Sequence, residues 1–104
     1  MKILLACSMG LSTSMLIEKL KEEGKKRGMD LDVDAVTYQI VNQYVDTTDI
    51  LLLGPQIRYL VKKFQDDYGD RIPVIDAMNM SDYALLNAEK ILNEALAKYQ
   101  DATK

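Results

Sequence analysis

The sequence predicts an α/β fold: a single domain over residues 1–104, built on a four-stranded parallel sheet with helices on both faces. Three observations carry this. Short runs of consecutive apolar residues alternate with longer stretches of helical apolar period, the patterns of buried strands and amphipathic helices. The links between them are short, and such alternation yields parallel strands joined by crossover helices. At 104 residues the chain can bury one core and not two.

The elements follow in order. Residues 3–6, Ile3-Leu4-Leu5-Ala6, are apolar throughout, as expected of a strand covered on both sides. Residues 12–27 read as a helix, with Leu16, Leu20 and Gly24 recurring every fourth position and Met15 and Ile17 alongside. Glu18, Glu22, Glu23, Lys25 and Lys26 fall largely on the other side, Glu22 and Lys26 at the spacing of an ion pair. Gly28 stops this helix. Residues 31–37 alternate, Leu31, Val33 and Ala35 against Asp32, Asp34 and Thr37, with Val36 breaking the pattern, which suits a half-exposed edge strand. Residues 39–44 read as a short helix. Residues 49–53 form another buried strand, ended by Gly54-Pro55, and Pro55 starts a helix with Ile57, Leu60, Val61, Phe64 and Tyr68 on one face. Residues 72–75 are the fourth strand. Ser81 then caps a last helix with Leu85, Ala88, Leu92, Ala95, Leu96 and Tyr99 as its buried stripe, and the polar tail 100–104 is expected to fray.

The expected strand order is 2-1-3-4, with the acidic strand at one edge. The order reverses between strands 1 and 3. A ligand belongs at the carboxyl ends of the strands there, beside the loop after strand 1. That loop holds the only cysteine in the chain.

Composition removes several classes of function. The net charge is −3 and no block of Lys and Arg appears, which argues against a nucleic-acid partner. The longest apolar runs, such as residues 50–53, are too short to span a membrane, and residues 1–6 are too short for a secretory signal. The chain therefore reads as cytoplasmic, with no direct membrane insertion. With no histidine, a Ser-His or Cys-His nucleophile pair is excluded within the chain. With one cysteine there is no internal disulfide, and the monomer, which is the expected state, has no thiolate zinc cluster. The acids are scattered, so neither a metal nor a cofactor is expected.

The loop Cys7-Ser8-Met9-Gly10-Leu11-Ser12-Thr13-Ser14 joins a buried strand to a helix start. Unpaired amides at a helix start, aided by the helix dipole, favour a bound phosphate. Gly10 lets successive amides curve toward one point, and Ser8, Ser12, Thr13 and Ser14 add hydroxyl donors. The same field favours the nucleophilic thiolate of Cys7. A lone cysteine at a strand end is usually only a small buried hydrophobe, and Ser or Thr there usually caps the helix. One cap suffices for a helix, so four hydroxyl residues between positions 8 and 14 ask for a second explanation.

Residues 7–16, ending in Met15-Leu16, resemble the active loop of enzyme IIB components of the bacterial sugar phosphotransferase system (PTS), lactose/cellobiose type. Leu52-Leu53-Gly54-Pro55-Gln56-Ile57 resembles a second segment of that family, and chain length and element order match throughout. The resemblance implies a phosphotransferase in which Cys7 takes a phosphoryl group from a phosphohistidine of the IIA partner. Cys7 then passes it to a sugar held by the membrane permease IIC, and this contact keeps the protein peripheral to the membrane. It further implies a beta-linked disaccharide such as cellobiose, chitobiose or lactose, a phosphate held by residues 8–14, and a histidine supplied by the partner.

The rival reading is a low-molecular-weight tyrosine phosphatase, whose loop follows the first strand of a similar sheet. That family has a cysteine, five intervening residues, an arginine and then Ser or Thr. Here Ser14 agrees, but the arginine position is Thr13. Without the guanidinium fork the loop can hold a phosphate yet lacks the group that stabilises its transfer to water. A non-catalytic binding module is the third reading. Gln56 could support the loop, meet a partner or simply open a helix. Asp76 follows strand 4 and could face the site, but reads rather as a solvated loop acid, since a second anion there would repel phosphate. Met9, Leu11, Met78 and Met80 form either an apolar docking rim or part of the core.

Overall fold

The computed structural model describes residues 1–8 and 14–104. Four strands form one sheet: β1 (Lys2–Cys7), β2 (Asp32–Thr37), β3 (Ile50–Leu53) and β4 (Val74–Ala77). All neighbours pair in parallel in the order β2-β1-β3-β4, the order expected. The apolar runs take the middle because central strands are covered above and below. Side chains alternate across the sheet. Ile3, Leu5, Ile50, Leu52 and Val74 face one layer, where α1 (Ser14–Lys26) contributes Leu16 and Leu20 and α4 (Ala88–Ala102) contributes Ile91, Leu92 and Ala95. Leu4, Ala6, Leu51, Leu53 and Ile75 face the other, which is covered by Val41, Val45, Ile57 and by Phe64 of α2 (Val61–Tyr68). Each fully buried aliphatic side chain contributes roughly 1.5–3 kcal/mol, so the two-sided burial of β1 and β3 anchors the fold.

Several boundaries differ from expectation, each for a local reason. The fourth strand starts at Val74 because the Ile72 amide is spent on the Tyr68 carbonyl, closing the turn after α2. Asp76 therefore lies within β4 and not in the loop after it. Pro55 opens a 3₁₀-helix, Pro55–Leu60, with a kink at Ile57 before α2 begins. Residues Tyr38–Gln43 are also 3₁₀. The expected last helix is two: α3 (Met80–Ala84), capped by Asn79 and not by Ser81, and α4, capped by Asn87. Between them Leu86 adopts φ 54, a left-handed conformation that ends the first helix. The break turns Leu85 out to 76% exposure, so it is not part of the buried stripe. Residues 100–102 of the expected tail continue α4, with Thr103 as its C-cap.

In α1, Leu16, Leu20 and Gly24 are buried as expected, while Met15 is 62% exposed. Glu23, not Glu22, holds the ion pairs, with Arg27 at 3.0 Å and Lys26 at 4.0 Å. The expected helical residues 12 and 13 lie outside the described residues.

Candidate functional site

The strand order reverses between β1 and β3, and Cys7 is the last residue of β1. The parallel register sets it beside Thr37 of β2. On the other side the Ala6–Leu53 pair is followed by Gly54, whose amide donates to the Ala6 carbonyl at 2.8 Å. Cys7 is buried, and its Sγ lies 3.9 Å from the Val36 carbonyl as a weak donor.

Gly54 is the close neighbour that makes this corner compact. A Cβ there would stand 3.7 Å from Cys7 Cβ, 3.7 Å from the Ala6 carbonyl and 3.0 Å from Gln56 Oε1. The exposed Gln56 side chain thus folds back over Gly54, on the same corner as Cys7. The sequence marks Gly54 as a strand end; that its missing side chain also leaves room for Gln56 Oε1 is decided by the tertiary structure.

Ser8 is an exposed bend residue and Ser14 the exposed first residue of α1. Met9, Gly10, Leu11, Ser12 and Thr13, the centre of the expected phosphate cradle, lie outside the described residues. The first turns of α1 and of the Pro55 helix carry no acid, so no carboxylate competes with an anion at either start. The rim residues separate: Met78 is core, packed with Leu16 and Leu20, whereas Met80 is 61% exposed. Tyr59 and Met15, which the sequence does not single out as rim residues, are also exposed on elements that follow β3 and β1. Asp76 pairs with Leu52, two positions before Gly54, and its carboxylate is engaged by Lys98. It does not join the Cys7 corner.

Carboxylates gather at the opposite end of the sheet, roughly 16 Å from Cys7 at a strand rise of about 3.3 Å per residue. There Asp49 accepts from the Lys2 amide at 2.8 Å, and Lys2 Nζ meets Asp34 at 2.5 Å and Asp32 at 3.5 Å. Burial pulls the Lys2 amine down most strongly. The Asp34 hydrogen bond and the charges of both aspartates together outweigh it and hold the amine above its ordinary 10.5. Among the described residues no cluster of three His, Cys, Asp or Glu is placed to hold a metal, and no helix is long and apolar enough to cross a membrane.

The chain is similar to known proteins over nearly its whole length. Residues 2–94 match the family model described as PTS system, Lactose/Cellobiose specific IIB subunit. The oligo-beta-mannoside-specific EIIB component of a PTS system in Bacillus subtilis (strain 168) is 35% identical over 99 residues, covering 92% of this chain and 93% of that protein. The cellobiose-specific EIIB component of Lactococcus lactis subsp. lactis (strain IL1403) is 35% identical over 101 residues, covering 89% and 91%. The solution structure of the cellobiose-specific phosphotransferase IIB component from Borrelia burgdorferi superposes with a TM-score of 0.77 at 31% identity, covering 98% of this chain and 94% of that one.

Proposed function

The chain belongs to the lactose/cellobiose-specific IIB family of the PTS, and from that premise we propose that Cys7 is the residue that carries the phosphoryl group. The observation that carries this reading is the place of the only cysteine. It ends the central strand β1 where the strand order reverses, with Gly54 packed against it and α1 starting at Ser14.

In the proposed reaction, Cys7 Sγ attacks the phosphorus of a phosphohistidine on the IIA partner. The S–P bond forms as the P–N bond breaks, and the partner's imidazole keeps the electron pair. In the second step a sugar hydroxyl on IIC attacks the same phosphorus, and the S–P electrons return to Cys7 as thiolate. The hydroxyl proton leaves to a base outside this chain, which has no histidine. Residues 8–14 hold the phosphoryl group through amides and hydroxyls, and the Gln56 amide supports that corner from β3. Thr13, standing where a related phosphatase loop has arginine, leaves the phosphocysteine without the fork that speeds attack by water. The protein works in the cytoplasm and meets the membrane through IIC. The sugar is a beta-linked disaccharide or short oligosaccharide, the class to which the names of its oligo-beta-mannoside and cellobiose relatives point.

Mass spectrometry after incubation with phosphorylated IIA tests this. The wild type gains one phosphoryl group on Cys7, and Cys7→Ser gains none, because serine without a neighbouring base is a poor nucleophile. Label on another residue, or retained on Cys7→Ser, overturns the assignment.

A further inference from the structure

The sheet has two outer edges, β2 and β4, and among the described residues no strand covers the outer side of β4. An open edge presents unpaired backbone groups that invite a strand from another molecule. The β2 edge carries exposed acids at Asp32 and Asp34, which repel their own kind. The β4 edge, Val-Ile-Asp-Ala, has one charged residue and short apolar neighbours.

The direction of its backbone is fixed by two bonds: the Val74 and Met78 amides donate inward, to the Asp49 and Leu53 carbonyls of the β3 side. By strand alternation, Pro73, Ile75 and Ala77 turn their backbone groups outward. At each of the three, one backbone group is absent or engaged. Pro73 has no N–H to offer. The Ile75 carbonyl accepts from Gln65 Nε2 of α2 at 2.9 Å. The Ala77 amide donates to the Asp76 carboxylate at 2.8 Å, and the other oxygen of that carboxylate is held by Lys98 of α4. Gln65 and Lys98, from helices on opposite faces of the sheet, close over the edge from both sides. Both line the groove of about 310 Å³ that runs along it with Pro73, Ile75 and Asp76.

We propose that Gln65 and the Asp76–Lys98 pair guard the β4 edge, occupying two of the backbone groups, the Ile75 carbonyl and the Ala77 amide, through which a second copy of this chain would add its own β4. This role is independent of phosphoryl transfer. It gives Asp76 a use that its distance from Cys7 leaves open, and it explains why a glutamine on α2 turns inward to a strand carbonyl.

The test uses Gln65→Ala/Asp76→Ala, with mass followed by sedimentation velocity as concentration rises and fold followed by circular dichroism. The wild type should stay at the mass of one chain, and the variant should self-associate at least about tenfold more strongly. Adding Ala77→Pro removes an outward amide without touching the β3 ladder, so it should restore the single-chain mass. If the double variant does not fold, Gln65→Met keeps the side-chain bulk, removes the donor and gives the same comparison alone. Amide exchange at Ala77 should quicken in dilute Asp76→Ala, where the carboxylate acceptor is gone. The proposal fails if the wild type itself pairs through β4, if the variants stay single at every concentration, or if association survives Ala77→Pro.

Discussion

Replacing Gly54 by alanine should separate stability from function at the Cys7 corner. Gly54 has φ −60 and ψ 149, a conformation open to any residue, so alanine meets no backbone strain. Alanine also narrows the unfolded ensemble, which stabilises by roughly 0.4–1 kcal/mol at compatible positions. The new methyl group would stand 3.7 Å from both Cys7 Cβ and the Ala6 carbonyl, ordinary contacts, and 3.0 Å from Gln56 Oε1, a tight one. Only the end of a flexible, exposed side chain must give way, so the expected net change is between zero and about 1 kcal/mol of added stability. The Gln56 amide, however, is pushed off the corner. With the proposed Gln56 contact to the phosphoryl group taken as one hydrogen bond of about 1.4 kcal/mol, its loss slows transfer about tenfold. Urea denaturation measures the first quantity, and rapid-quench transfer of labelled phosphate from phosphorylated IIA measures the second. Gln56→Ala should show the same slowing, and the two changes together should not add, because both remove one contact. A variant destabilised by more than about 1 kcal/mol would refute the packing argument. Unchanged transfer would refute the role given to Gln56.

Three further outcomes are expected. Thr13→Arg should still accept phosphate but lose it faster to water, up to about a hundredfold for a donor worth roughly 3 kcal/mol, read from the decay of purified phosphoprotein. Gly24→Ala should destabilise by up to about 2 kcal/mol: overpacking costs roughly 1–3 kcal/mol, and better helix propensity returns up to about 1. The cause is a Cβ that would fall 2.6 Å from Leu31 Cδ1, and the midpoint of urea unfolding reports it. Asp34→Asn should destabilise at neutral pH and match the wild type at strongly alkaline pH. The Lys2 amine titrates above its ordinary 10.5 in the folded state, so its stabilisation is complete below that value and lost as pH rises through the folded one; thermal unfolding across that range checks the sign.

Periodicity was enough for the sheet. The runs Ile3 to Ala6 and Ile50 to Leu53 have the pattern of strands covered on both faces, and the alternating acids Asp32 and Asp34 suit an edge, so the order expected from them, 2-1-3-4, is the order found. Cys7 is likewise legible as the candidate nucleophile, because it is the only thiol and follows the first strand. The chain alone does not decide where one helix becomes two. The stripe from Leu85 to Tyr99 has helical period, but Asn87 beats that period by capping Lys90 at 3.2 Å, and Leu86 turns left-handed. Propensity is a sum over local choices, while a break depends on what the tertiary core rewards. The same holds for Asp76 and Gln56. Their residue types permit several roles, and only the folded chain sets one on the β4 edge with Lys98 and the other over Gly54. Sequence determines which residues are buried through a pattern repeated along the chain; which polar groups meet depends on contacts between residues far apart in it, and those exist only once the sheet has formed.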